Sequence, residues 1–208
     1  TLSLHDALPI CQFGGATVRN DTGVEEGGEI AIHYDPMIAK LVTWAPTRAE
    51  AIESQGEALD AFAIEGIRHN IPFLAALMAH PRWRSGNLST GFIAEEFPEG
   101  FVAPEPKGAI AQRMAAAAAA IDHKMNQRKR GISGQMRDPA LLHFERGRVV
   151  VLAGESYPVT VDAVGGTLIV TDADGTTWPV SSDWRPGEPV WQGEIGGTRV
   201  AMQVRGLL

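Results

Sequence analysis

Residues 109–130, AIAQRMAAAAAAIDHKMNQRKR, determine how the rest of the chain is interpreted, and six consecutive alanines occupy positions 115–120. Alanine has the highest helix propensity, so this stretch predicts one long helix. The small side chains also make the helix thin, which lets neighbouring backbone approach it closely. The stretch therefore predicts a buried helix packed tightly by surrounding strands, and a low-complexity linker helix is the alternative.

Short strand-like runs follow this helix, and glycine, proline and aspartate residues separate them. The runs are residues 141–144, 149–152, 157–161, 167–170, 177–180, 189–191 and 198–204. Such spacing is typical of an antiparallel sandwich or a barrel built from hairpins. A barrel would remove the edges that short strands otherwise expose. The alanine-rich helix that precedes the runs would then line or plug the barrel.

A proline-rich segment precedes the helix at residues 98–106 (PEGFVAPEP). Its prolines cannot continue a helix and favour extended chain, so we interpret it as a linker. The part before the linker shows mixed α and β patterns. Residues 29–34 (EIAIHY) alternate apolar and polar residues, which predicts a half-buried strand. Asp35-Pro36 then indicates a short helix containing Met37, Ile38 and Leu41, after which residues 41–44 return as a strand.

Two further helices are predicted ahead of the linker. Thr47 and Glu50 fit a capping box, in which each side chain accepts a hydrogen bond from the backbone of the other residue. Apolar residues at helical spacing follow, so we expect a helix over residues 48–63. Asn70 can cap a second helix, which should end at His80-Pro81 because the residue before a proline disfavours helical backbone.

Composition and charge exclude several classes of protein. The formal charge is −7, and the acidic excess lies in residues 1–100, whereas residues 101–208 are nearly balanced. This asymmetry favours two domains. The single cysteine, Cys11, excludes an internal disulfide framework and favours a reducing compartment. No apolar run approaches the roughly 20 residues that span a bilayer. Residues 1–10 lack the basic region of a signal peptide.

The clustered cations Arg128, Lys129 and Arg130 are the strongest feature in favour of nucleic-acid binding. The cluster is short and has no aromatic neighbour, whereas nucleic-acid binding requires a basic stripe or patch. Its position at the end of the predicted helix suits the helix macrodipole. We therefore expect neither nucleic acid nor a membrane as a partner.

Ordered blocks in the first half resemble the C-terminal domain of biotin carboxylase. The most distinctive blocks are residues 18–23 (VRNDTG), 26–30 (EGGEI) and 34–41 (YDPMIAKL). Smaller blocks continue the match to residue 97: Thr47-Arg48, Ala51-Ile52, Gly66-Ile67, residues 70–74, His80-Pro81, Ser89-Thr90 and Phe92-Ile93. Any one block is a weak signal, but this many in order are specific.

The second half resembles a narrower group, the α subunits of propionyl-CoA carboxylase. The resemblance rests on residues 157–159 (YPV), 182–187 (SDWRPG) and 189–191 (PVW). It implies an α+β fold with a biotin carboxylase C-terminal domain at residues 11–97 and a linker at residues 98–107. A BT domain would follow at residues 108–208. Its central helix, residues 108–130, would be surrounded by a small antiparallel β-barrel, residues 141–208.

The resemblance also implies ligase chemistry. Proteins of this family use ATP and bicarbonate to carboxylate biotin, and they dock a carboxyltransferase β subunit. Self-association of α subunits through the biotin carboxylase domain is a further expected partnership. We expect biotin to be attached to a domain absent from this chain, and ATP and Mg²⁺ to be bound mainly by an absent N-terminal part. The isolated chain should therefore be inactive, and the expected location is the bacterial cytoplasm or the mitochondrial matrix.

By motif, Arg19 matches the arginine that stabilises negative charge on the ureido oxygen of biotin, and the alternative is a solvated strand-edge arginine. A fixed guanidinium suits that role because it is always charged and offers several donors in a plane. Thr90 and Gly91 match the region that borders the adenine pocket, with a purely structural role as the alternative. The histidines and Cys11 show no metal-ligand spacing, so no metal site is predicted.

Two other functions remain open at this stage. The chain could belong to another acyl-CoA carboxylase, of the methylcrotonyl-, geranyl- or acetyl-CoA type. It could also be a non-catalytic interaction module. We expect the barrel and residues 131–143, the connection between the long helix and the first strand, to contact the β subunit, because long loops are often functional. A disordered loop is the alternative for this connection. Lys124-Met125 is not expected to accept biotin, since it lies in a helical pattern.

Overall fold

The computed structural model describes residues 10–13, 16–24, 27–30, 33, 37–132 and 144–206. The chain divides into two compact units, which are described separately below. The first comprises residues 1–103 with 205–208, and the second comprises residues 104–204. Helices and antiparallel sheets occur in both parts of the chain, so the predicted α+β fold class is confirmed.

A three-stranded antiparallel sheet opens the first unit. Its strands are β1 (Ile10–Phe13), β2 (Ala16–Thr22) and β3 (Ala39–Trp44), in that spatial order. One face of β2 and β3 packs on helix α1 (Arg48–Ala61). Thr43 ties β3 to this helix, because its hydroxyl donates to the Ala51 carbonyl oxygen at 3.0 Å.

Local chemistry correctly predicts where α1 begins and where the next helix ends, although α1 ends at Ala61, before the predicted residue 63. The capping box of Thr47 and Glu50 starts α1, with the Thr47 N–H donating to the Glu50 carboxylate at 2.9 Å. Helix α2 (Ile71–Ala79) ends at His80, before Pro81. Asn70 occupies its N-cap position but makes no side-chain capping hydrogen bond. Two short helices follow, α3 (Pro81–Ser85) and α4 (Phe92–Glu96). The buried apolar residues are Ile52, Leu59, Ala63, Ile64, Leu77 and Phe92.

The short helix predicted after Asp35-Pro36 is wrong. Met37 and Ile38 are not helical, and Leu41 lies within β3, which includes the predicted strand at residues 41–44. Pairing with β2 across six residues outweighs the local capping signal, since each β3 residue gains a partner strand. In the predicted strand at residues 29–34, Glu29 and Ile30 are not in a strand and His33 lies in a turn. The remaining residues of that strand, and Asp35-Pro36, lie outside the described part.

The alanine-rich stretch forms one long helix, α5 (Gly108–Arg130). Arg128, Lys129 and Arg130 occupy its last turn, where cations complement the macrodipole. Ala116 and Ala117 are completely buried, and Ala115, Ala119 and Ala120 are nearly so. The prediction of a buried, thin helix is therefore confirmed.

Six antiparallel strands curl around α5 as a half-barrel in which each strand pairs with the next along the chain. The strands are β4 (Gly147–Leu152), β5 (Glu155–Val164), β6 (Thr167–Asp172), β7 (Thr177–Ser181), β8 (Val190–Ile195) and β9 (Thr198–Gln203). Their inward side chains meet the alanines, and the largest fully buried ones are Trp191, Ile195 and Val170. Small residues on the helix let these large ones approach, so the two layers interdigitate.

Six of the seven predicted strand runs lie in these strands or overlap them. Of the seventh, residues 141–143 lie outside the described part and Phe144 is not in a strand. The predicted linker, residues 98–107, contains neither helix nor strand. In the described part of the chain, no helix combines the length and apolarity that a bilayer crossing requires.

Candidate functional site

Arg19 lies on β2 with its side chain 56% exposed. Its guanidinium pairs with the Asp21 carboxylate two residues along, at 3.0 Å between Nε and Oδ1. Lys40 lies opposite Asp21 on β3, so the charges form a short row across the two strands. An exposed ion pair of this kind stabilises the fold by less than about 1 kcal/mol, so stability of the fold does not depend on it.

The face that carries Arg19 combines this row of charges with exposed apolar side chains. Val42 lies directly opposite Arg19, and Trp44, 61% exposed, lies two residues further along β3 on the same face. The opposite face, which contains Leu41 and Thr43, is the one that contacts α1. The geometry therefore places Arg19 on an open sheet surface that combines an arginine with a tryptophan, a composition typical of contact sites.

Thr90 and Gly91 immediately precede α4, with Gly91 at its N-cap position. A Cβ atom at residue 91 would lie 2.8 Å from the Glu95 carboxylate, so a larger residue would displace that side chain. Glu95 in turn accepts a hydrogen bond from Arg82 at 2.9 Å. Within the described part, no hydrogen bond or ion pair joins Arg19 to Thr90 or Gly91.

Arg82 connects α3 to α4 through two carboxylates, because it also binds Glu96 at 2.6 Å. This hydrogen bond holds the pKa of the Glu96 carboxyl below its usual range. His80 completes the group, with Nδ1 accepting from the Arg82 N–H and Nε2 lying 3.3 Å from Glu96. Both imidazole nitrogens are thus engaged, and His80 serves the fold. Among the described residues, no three His, Cys, Asp or Glu side chains form a group that could hold a metal ion.

Sequence reasoning missed the role of Lys124. Its ammonium donates to the carbonyl oxygens of Ser182 and Trp184, the latter at 3.1 Å. This lysine therefore joins the central helix to the segment between β7 and β8. Helical periodicity could have indicated an inward position, because residue 124 falls on the same helix face as the buried Ala117 and Ala120.

Trp184 belongs to the same arrangement. The residue is only 5% exposed, and its side chain lies in the core around α5. The indole N–H donates to the Glu188 carbonyl oxygen at 2.9 Å, which satisfies its one donor. The neighbouring residues Asp183 and Arg185 are exposed.

The two described ends of the 131–143 connection are fixed by arginines. The Arg148 guanidinium donates to the Asp122 carboxylate of α5 and to the Glu145 carbonyl oxygen. Arg130 lies over the Phe144 ring, 5.1 Å from its centroid. His123 is on the same turn as Asp122, and burial together with the charges of Arg148 and Arg130 lowers its pKa. The residues between these anchors, 133–143, lie outside the described part.

Comparison with known proteins assigns a family to each half. The model for the biotin carboxylase C-terminal domain matches residues 7–95, and the model for the propionyl-coenzyme A carboxylase BT domain matches residues 114–207. The chain is 48% identical over 191 residues to a propionyl-CoA carboxylase alpha chain of Ruegeria pomeroyi, covering 92% of this chain and 28% of that protein. A mitochondrial propionyl-CoA carboxylase alpha chain of Mus musculus is 29% identical over 89% of this chain and 26% of its own length.

A third relative allows the propionyl-CoA type to be compared with the methylcrotonyl-CoA type. The methylcrotonoyl-CoA carboxylase subunit alpha of Mus musculus is 44% identical, but over only 79 residues, or 38% of this chain and 11% of that protein. Its match is thus less than half as long as those of the two propionyl-CoA carboxylase chains. The chain spans about a quarter of the length of the curated relatives it matches.

A biotin carboxylase C-terminal domain followed by a half-barrel around a central helix places the chain in the class of biotin-dependent acyl-CoA carboxylase α subunits by its domains. Within that class it belongs to the propionyl-CoA carboxylase α-chain family, as both the second domain match and the similarity along nearly the whole chain indicate.

Proposed function

We propose that this chain is a C-terminal segment of the α subunit of propionyl-CoA carboxylase. In that subunit it would complete the site where biotin is carboxylated with ATP and bicarbonate, and it would dock the carboxyltransferase β subunit. The observation that carries the proposal is the order of the two domain matches within one chain. The proposed limits are residues 11–97 for the carboxylase domain, 98–107 for the linker and 108–208 for the BT domain.

The described residues offer little that would hold the cofactors. Lys124 is engaged by two carbonyl oxygens within the fold and is not available for attachment of biotin. We therefore assign biotin, ATP and Mg²⁺ mainly to parts of the α subunit outside these 208 residues. We propose, from the motif, that Thr90 and Gly91 lie at the border of the adenine pocket. The α subunit would work in the bacterial cytoplasm or in the mitochondrial matrix.

Arg19 has two proposed roles, and one variant separates them. By motif it stabilises charge on biotin, and Arg19→Ala in the full-length α subunit should then lower the rate of biotin carboxylation by about 100-fold, as loss of one oxyanion donor does. The assembly state would not change. Its position beside Val42 and Trp44 instead favours a contact between α subunits, in which case the rate would fall only as the assembly dissociates.

Carboxylation rate and sedimentation velocity, measured at the same protein concentrations, give both readouts. Trp44→Ala is the matched control, because it disturbs the exposed face without removing a cation. A large loss of rate in Arg19→Ala but not in Trp44→Ala, with both proteins fully assembled, supports the role in chemistry. Equal dissociation of both variants supports the contact, and a normal rate with normal assembly excludes both roles.

Docking of the β subunit is expected to depend on the connection between α5 and β4. Its ends are held by Arg148 and by the contact of Arg130 with Phe144, so a shortened connection can still be closed. Deleting residues 133–139 from the full-length α subunit should abolish capture of the β subunit in a pull-down assay. Circular dichroism should remain that of the folded protein. Undiminished capture by the folded deletion variant would contradict the proposal, and replacing residues 133–139 by glycine and serine controls for loop length.

A further inference from the structure

The segment between β7 and β8, residues 182–189, is longer than the common two- to five-residue hairpin connections. It is nevertheless firmly ordered by its own hydrogen bonds. The Ser182 hydroxyl donates to the Gln192 carbonyl oxygen and accepts from the Trp184 N–H, the latter at 3.1 Å. At the far end, the Glu188 N–H donates to the Arg185 carbonyl oxygen at 3.1 Å. We call residues 182–188 the β7–β8 loop.

Two contacts with the rest of the second unit hold this loop in place. Trp184 fills part of the core around α5, and Lys124 binds the carbonyl oxygens of Ser182 and Trp184. Gly187 supplies a φ of +112°, a conformation that residues with a Cβ rarely adopt. An irregular backbone fixed in this way has already lost the conformational entropy that a flexible loop would lose on binding.

Asp183 and Arg185 are exposed on this fixed backbone. Within the described part of the chain, neither side chain has a hydrogen bond or an ion pair. The second acid of the loop, Glu188, uses its carboxylate to accept from the Arg185 backbone N–H at 2.9 Å. The Arg185 guanidinium is therefore exposed, and its hydrogen-bond donors have no partner within the described part of the chain. The packing of Trp184 in the core does not require an arginine at the next position.

We propose that the β7–β8 loop is a preformed docking element for the carboxyltransferase β subunit. Arg185 would be its contact residue, and the partner surface would offer a carboxylate, whose two oxygens match the paired donors of a guanidinium. Lys124 would act as a positioning residue that holds the loop in its binding conformation. This inference rests on the proposed function, because it names a surface through which the proposed partner is bound.

The test uses the full-length α subunit and its β subunit, with the dissociation constant measured by surface plasmon resonance. Arg185→Ala should weaken binding by about 30-fold, the effect of losing an interface hot spot. The matched control is Arg199→Ala on β9, because the Arg199 side chain is 89% exposed and lies 4.0 Å from Glu194. This control removes the same charge and should change binding by less than about twofold, in the range of near-neutral surface contacts.

Lys124→Met tests the positioning role. It should weaken binding as Arg185→Ala does. The variant that carries both substitutions should bind no more weakly than the single variant with the lower affinity, because both substitutions act through one contact. Lys124→Arg keeps a cation near the two carbonyl oxygens and should recover part of the affinity. Affinity within twofold of the unchanged protein for a folded Arg185→Ala variant overturns this inference alone. Failure of the unchanged α subunit to bind the β subunit overturns the proposed docking function as well.

Discussion

Ala116→Leu should destabilise the second unit by about 3 kcal/mol, at the upper end of what added methylenes cost in a packed core. Ala116 has no exposed surface and lies in the cluster formed by α5 and the inward residues of the half-barrel. Three added carbon atoms would have to displace strands that the other alanines hold close to the helix. Neighbouring strands are hydrogen-bonded to one another, so one of them cannot retreat without disturbing the next.

Hydrogen exchange followed by mass spectrometry can localise this effect, because peptides from β8 and β9 report on the second unit and peptides from α1 report on the first. The β8 and β9 amides should exchange faster by about two orders of magnitude, which corresponds to the predicted 3 kcal/mol. The α1 amides should not change. Ala109→Leu is the control, because Ala109 is exposed on the same helix. Equal exchange in Ala116→Leu and the unchanged protein would show that the core has room for a larger side chain.

Much of the fold was predictable because its signals are local. The capping box of Thr47 and Glu50 starts α1 one residue after Thr47, and the alanine-rich run forms a buried helix ending at Arg130. The turn residues separated the strands of the half-barrel correctly. In each case the residues that determine the element lie within it or next to it.

The errors arose where distant parts of the chain decide the outcome. The Asp35-Pro36 signal predicted a helix that reaches Leu41, and it is pairing with β2 that instead makes residues 39–41 part of a strand. The role of Lys124 depends on contacts with residues about 60 positions away. The spacing of residues within one segment does not indicate contacts of this kind with a distant segment. The motif-based assignment of Arg19 remains a prediction, because the structure shows its neighbours on the sheet and not the molecule it meets.

Gly193→Ala should also destabilise the second unit strongly, by about 3 kcal/mol, but through backbone contact. Gly193 lies on β8 where the chain passes closest to the start of the β7–β8 loop. A Cβ atom there would overlap the Ser181 carbonyl oxygen and would lie 2.8 Å from the Ser182 Cβ atom. Neither atom is the end of a flexible side chain, so the strands themselves must separate. The pairing of Ser181 with Glu194 is one of only two β7–β8 residue pairs within the described part, so little holds them together.

Gly147→Ala is the matched control for this variant, because a Cβ atom at residue 147 of β4 would meet nothing within 4 Å. Amides of β7 and β8 should exchange about 100-fold faster in Gly193→Ala and at an unchanged rate in Gly147→Ala. The same separation would move Ser182 away from Lys124 and Gln192, so the β7–β8 loop would lose its anchors together with the strand pairing. Gly193→Ala should therefore weaken binding of the β subunit at least as much as Arg185→Ala does. Unchanged exchange in β7 and β8 would contradict the contact on which this prediction rests. Faster exchange with normal binding would show that the loop holds its shape, or docks, independently of the strands beneath it.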